Sequence, residues 1–158
     1  MEWKRIEPKA RPAAAAPAKG KILYVEDEDP NWELMVLALR DKYDLTRARD
    51  PKEAFAALAK TRFSLILMDI QLGGSELNGI DVTQILKNKY RGDAPSYSTG
   101  IRCPQTPIVF VTAYTARYSK AVLIRVGGDD MLTKPLDLGL LSATLARLLP
   151  PVSVTMGG

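Results

Sequence analysis

Four short apolar runs in this chain each give way to a polar residue, and that recurrence limits the folds open to it. Ile22-Leu23-Tyr24-Val25 ends in Glu26-Asp27, and Phe63 to Met68 ends in Asp69. Ile108-Val109-Phe110-Val111 ends in Thr112, and Met131-Leu132-Thr133 ends in Lys134-Pro135. Apolar runs of this length read as strands buried on both faces, the habit of parallel sheets. The closing residue then stands where the strand leaves the sheet. In open α/β sheets the crevice beyond the carboxyl ends is where ligands bind. Three carboxylates, a hydroxyl and an ammonium are thereby expected on one sheet edge.

Helical patterns alternate with the strands. Strands are expected over 21–26, 44–48, 63–69, 107–112 and 130–133, and helices over 30–41, 51–61, 79–90, 116–126 and 137–149. Asp29-Pro30 and Asp50-Pro51 each place a capping carboxylate before a proline suited to the first helical position. Asp50 and Glu53 have capping-box spacing. Gly127-Gly128 is a stop signal, and Leu138, Leu141, Leu145, Leu148 and Leu149 recur near helical spacing. Five βα units imply an α/β, doubly wound, five-stranded parallel sheet covered by helices on both faces.

The chain has 158 residues, enough for one domain that needs no metal or disulfide staple. It contains no histidine, which excludes histidine-based triads, His-ligated zinc and a phosphohistidine on this chain. The net charge is +4, but residues 1–21 alone hold six basic and two acidic side chains, so the rest is balanced. A nucleic-acid partner is therefore not expected. No apolar stretch approaches the ~20 residues that span a bilayer, and there is no signal-peptide core. The single cysteine, Cys103, fits a reducing, cytoplasmic setting and reads as incidental. Residues 1–20 read as a disordered Ala/Pro/Lys-rich extension, 21–149 as the domain, and 150–158 as a short disordered tail. Residues 88–106 are long for an αβ connection and read as an exposed excursion.

Adjacent strands would bring Glu26, Asp27 and Asp69 together. Like charges that close are costly unless neutralised, and hard oxygen ligands favour magnesium, which keeps open positions for phosphate oxygens. Asp69 is then suited to attack phosphorus as a nucleophile, with Lys134 and Thr112 offsetting charge on the transferring group. Taken singly, each of these residues has a structural explanation. Their joint placement at successive strand ends is the signal.

These residues, in this order, resemble the receiver domain of two-component response regulators. The matching segments are Ile22 to Glu28, Leu65 to Ile70, Val111-Thr112-Ala113 and Gly128 to Pro135, within roughly 20–149. The resemblance implies a flavodoxin-like sheet of order 2-1-3-4-5. It implies Asp69 as phosphoacceptor from a sensor histidine kinase or phosphotransfer protein. It further implies magnesium held by Glu26, Asp27, Asp69 and the backbone carbonyl of Gln71, a phosphoryl group bound by Thr112 and Lys134, and a cis peptide at Lys134-Pro135. Such a module is a phosphoacceptor that assists its own transfer rather than an enzyme. With about nine residues after the last helix, a stand-alone module is expected, signalling by protein contact or phosphorelay. The competing reading is a receiver-like scaffold that binds a partner without phosphorylation. An aspartate-based phosphohydrolase ranks below both, since Asp69-Ile70-Gln71 lacks a second carboxylate as general acid.

Three departures stand out. The family's aromatic switch position is Met131, a flexible filler with no hydroxyl. The loop from Gln71 to Gly79 lacks the family's usual proline and is longer. Tyr114, two residues beyond Thr112, is placed to flank the site and restrict water.

Overall fold

The computed structural model describes residues 19–113 and 116–149. Five strands, β1 (Gly20–Val25), β2 (Tyr43–Ala48), β3 (Leu65–Asp69), β4 (Ile108–Thr112) and β5 (Asp130–Thr133), form one parallel sheet of order β2-β1-β3-β4-β5. Between and after them run α1 (Asp29–Leu39), α2 (Pro51–Lys60), α3 (Gly79–Leu86), α4 (Lys120–Arg125) and α5 (Leu138–Leu148). The expected flavodoxin-like order is the observed one.

Every residue of β3 and β4 is buried, which is why those runs lack alternation in the sequence. The pleat sends successive side chains to opposite faces. Leu23, Val25, Ile66, Met68, Ile108 and Phe110 meet Ala54 and Phe55 of α2, Val82, Ile85 and Leu86 of α3, and Leu123 of α4. Ile22, Tyr24, Leu65, Leu67, Val109 and Val111 meet Met35 and Leu39 of α1 and Leu141 and Leu145 of α5. The two cores clamp the sheet, and each buried aliphatic or aromatic side chain contributes roughly 1.5–3 kcal/mol.

The helix starts are mostly capped. Asp50 accepts from the Glu53 N–H at 2.8 Å, but Glu53 reaches past it to the Arg49 N–H at 2.7 Å, so the expected reciprocal box is incomplete. Asp29 is not a cap. Glu28 occupies the cap position without a side-chain capping bond, and Asp29 instead accepts from Arg47 at 2.8 Å and Arg49 at 3.3 Å. The full capping box lies at α3, where Asn78 and Asp81 exchange bonds of 2.9 Å. Helix α3 stops at Leu86, short of the expected 90, and Asn88 follows with φ of 61°. Helix α4 starts at Lys120 rather than 116, where Ser119 accepts from the Val122 N–H. Gly127 ends it at φ +120°, a backbone that L side chains rarely adopt.

The 88–106 connection is exposed over most of its length, as expected, but it is anchored to the core at several points. A single 3-10 turn (Ser96–Ser98) buries Ser98 and sets Tyr97 against Phe55 with ring centroids 5.8 Å apart. Tyr90, Ile101 and Cys103 also pack on the core. Lys87 donates to the carbonyls of Cys103 and Pro104, each at 3.1 Å, and of Thr106. That ammonium replaces the helical or sheet partners such carbonyls would otherwise need. The expected extension, the C-terminal tail and Tyr114 lie outside the described residues, apart from Lys19 and Gly20.

Candidate functional site

The register fixes which side chains meet. β1 lies between β2 and β3, and β3 between β1 and β4, so the ends of β1, β3 and β4 are neighbours. Glu26 and Asp27 follow β1, Asp69 ends β3, Thr112 ends β4, and Lys134 follows β5. Oxygens of Glu26, Asp27 and Asp69 all lie within 4.8 Å of one another. Lys134 Nζ is 2.9 Å from Glu26 Oε1 and 3.3 Å from Asp69 Oδ2. Thr112 is buried, and its carbonyl accepts from the Lys134 N–H at 2.9 Å. The Lys134-Pro135 peptide is cis, as the resemblance implied. Pro135 itself is exposed, as is Ala113.

The loop after β3 wraps around the carboxylates. Gln71 N–H donates to Asp69 Oδ1 at 3.2 Å, and Gly73 N–H donates to Asp27 Oδ2 at 3.0 Å. Gly79 begins α3 hard against β3, where an added Cβ would meet the Asp69 carbonyl oxygen at 2.1 Å. Only glycine fits there. Sequence reasoning treated Gly79 as a helix start and missed this approach.

Within its apolar run Tyr24 reads as a packing residue, and its ring does pack, with its centroid 6.3 Å from that of Trp32. Its hydroxyl, however, donates to Glu26 Oε1 at 2.7 Å. The signal was available in the two-residue spacing, which puts Tyr24 and Glu26 on one face of β1. Glu26 Oε2 accepts from the Glu28 N–H at 3.1 Å, so both oxygens of this fully buried carboxylate are engaged. Arg47 borders the site, donating to the Glu26 carbonyl at 3.0 Å and lying over Trp32.

The electrostatics are uneven across the three carboxylates. Burial raises the Glu26 pKa, but hydrogen bonds from Lys134, Tyr24 and the Glu28 N–H outweigh it and hold the group below its ordinary value. Asp69 is pushed up to about 7, first by burial and then by the charge of Glu26, with Lys134 pulling it back only in part. Burial lowers the Lys134 pKa, yet the two carboxylates win and raise it. Burial, then Glu26, pushes the Tyr24 phenol far above its usual range. Three carboxylates gathered around the one Lys134 ammonium leave negative charge that these side chains alone do not neutralise. A hard, oxygen-preferring divalent cation fits that deficit.

A family model for the response regulator receiver domain matches residues 22–146. The chain belongs to the response regulator receiver family. Among curated relatives, it is 34% identical over 133 residues to the response regulator protein PilR of Pseudomonas aeruginosa, covering 84% of this chain and 26% of that protein. It is 30% identical over 132 residues to the transcriptional regulatory protein YkoG of Bacillus subtilis, covering 83% of this chain and 51% of that one. The receiver domain thus spans about a quarter to a half of these relatives' length. A solved receiver domain of a Pseudomonas aeruginosa sensor histidine kinase superposes with a TM-score of 0.66 at 26% identity, covering 83% of this chain and 98% of that one. It holds a magnesium ion coordinated in its active-site cleft. No helix among the described residues is long and apolar enough to cross a membrane.

Met131 is half-buried and packs on the α2–α3–α4 side of the sheet. It pairs in register with Phe110.

Proposed function

We propose that this receiver accepts a phosphoryl group on Asp69 from a phosphohistidine of a sensor kinase or phosphotransfer protein. The observation that carries this reading is Lys134, whose ammonium reaches both Glu26 and Asp69 at the mouth of the three-carboxylate cluster. A structural lysine needs one carboxylate. One that bridges two, beside a carboxyl pushed up to about 7, is set to follow negative charge when it appears.

In the transfer, an Asp69 carboxylate oxygen bonds to phosphorus as the phosphorus–nitrogen bond breaks, and the leaving imidazole keeps that electron pair. Asp69 must be ionised to attack, and Lys134 at 3.3 Å favours that form. The Gln71 N–H on Oδ1 holds the carboxylate in one orientation. Lys134 then shifts to a phosphoryl oxygen, and Thr112, on the neighbouring strand end, offers its hydroxyl to another. Glu26, Asp27 and Asp69, with the Gln71 carbonyl, would hold magnesium. That ion supplies charge neutralisation between the carboxylates and the phosphoryl oxygens.

Phosphorylated receiver then signals through protein contact or passes its phosphoryl group on. The second reading, a scaffold that binds without phosphorylation, draws support from Met131, which brings no hydroxyl to report the event. Incubation with acetyl phosphate and magnesium decides between them by intact-mass spectrometry. The expected result is a gain of one phosphoryl group that disappears in Asp69→Asn. No gain in the wild type overturns the phosphoacceptor reading and leaves the scaffold.

A further inference from the structure

The proposed transfer gives no task to the phenol of Tyr24. This residue is fully buried on the face of β1 that meets α1 and α5. Its neighbours on that face, Ile22 on β1 and Leu65 and Leu67 on β3, are aliphatic. An aliphatic residue would fill the same core, whereas a buried hydroxyl must be matched by a partner to avoid a desolvation penalty. Its partner is Glu26 Oε1, at 2.7 Å, and the same oxygen accepts from Lys134 at 2.9 Å.

Two donors on one carboxylate oxygen divide its charge, so each is held less tightly than it would be alone. The two donors also differ in freedom. Tyr24 is pinned by the core and by Trp32, while Lys134 is an ammonium on a flexible stem at the edge of the site. When the lysine leaves, Tyr24 and the Glu28 N–H still satisfy Glu26. The buried carboxylate keeps two hydrogen-bond donors, though it gives up its counter-charge.

We propose that Tyr24 is a positioning residue: by sharing Glu26 Oε1 it weakens the resting hold of Glu26 on Lys134, and so sets how readily the lysine leaves for a phosphoryl group on Asp69. This rests on the phosphoacceptor reading of Asp69 given above.

Tyr24→Phe keeps the ring and removes the hydroxyl. The maximal rate of phosphorylation by acetyl phosphate with magnesium should fall about five- to tenfold, the scale of one hydrogen bond to a charged acceptor. The half-saturating acetyl phosphate concentration should stay within about twofold, because the hydroxyl meets Glu26 and not the donor. In a Glu26→Gln background the same substitution should have no further effect, the mark of two residues acting through one contact. A second measurement needs no phosphorylation. In lysine-labelled protein without added metal, exchange of the Lys134 ammonium protons with water, followed by nitrogen-detected NMR, should slow about fivefold in Tyr24→Phe. An unchanged exchange rate overturns the proposal, as does equal slowing of phosphorylation with and without Glu26. If the wild type takes up no phosphate, the functional reading fails, and the exchange measurement still reports whether Tyr24 governs Lys134.

Discussion

Lys134 sits closer to Glu26, at 2.9 Å, than its 3.3 Å from Asp69, the residue it is proposed to serve. In this state the ammonium is held in reserve on a buried carboxylate. That arrangement makes the lysine structural as well as functional. Lys134→Met should destabilise the fold by about 3 kcal/mol, because it leaves Glu26 buried without its counter-charge. Combining it with Glu26→Gln should recover much of that loss. Urea unfolding of the single and double variants checks this, and simple additivity would refute the pairing.

The Asp69 carboxyl is pushed up to about 7, first by burial and then by Glu26. In an unfolded chain it ionises near about 4. Between those values the folded protein keeps a proton that the unfolded chain has lost. The stability from this group is therefore full at acid pH and is lost as pH rises through about 7. Asp69→Asn cannot ionise, so its gain in Tm over wild type should be small near pH 5 and largest above pH 7, without added metal. Equal gains at both ends would show that Asp69 does not carry the shift.

Cation binding should show the same proton from the other side. Ligating carboxylates must be ionised, so magnesium should release protons when it binds near pH 7 and bind more weakly as the pH falls. Calorimetry in buffers of different ionisation enthalpy measures that release directly. Binding that is independent of pH across this range would place the ion elsewhere.

Gly79 has no room for a side chain, with the Asp69 carbonyl 2.1 Å from where a Cβ would lie. Gly79→Ala must push α3 away from β3, at a cost of about 1–3 kcal/mol. The displaced atoms belong to Asp69, the proposed phosphoacceptor. Phosphorylation should fall by more than the loss of folded protein accounts for, measured by mass gain alongside circular dichroism.

Tyr97 packs on Phe55 from the long α3–β4 connection. Tyr97→Ala should lower stability by about 1–2 kcal/mol, the scale of a partly buried aromatic pair. Phosphate uptake at Asp69 should change little, because Tyr97 reaches the loop after β3 only through a long hydroxyl bond to Glu76, at 3.4 Å. Loss of uptake would mean that the connection supports the site.

The sheet was readable because burial on both faces wrote itself as uninterrupted apolar runs, and the site because its charged residues close those runs. What escaped has a common physical origin. Cys103, Ile101 and Tyr97 lie among Pro, Gly and Ser, a local composition that looks solvated. Only the fold brings Lys87 to the carbonyls of Cys103, Pro104 and Thr106. Asp29 reads as a cap by its place before Pro30, but Arg47 and Arg49, distant in sequence, compete for it and win. The approach of Gly79 to Asp69 is a backbone contact across the loop, and no residue type announces it.

The Gly73 N–H on Asp27 Oδ2 ties the glycine-bearing loop to a carboxylate of the candidate cation site. Occupancy of the cluster and order in the loop are then two readings of one equilibrium. A protein that grips the loop alters cation affinity by some factor, and by linkage the cation alters that grip by the same factor. A kinase that gripped this loop and a cation in the cluster would each be an effector of the other.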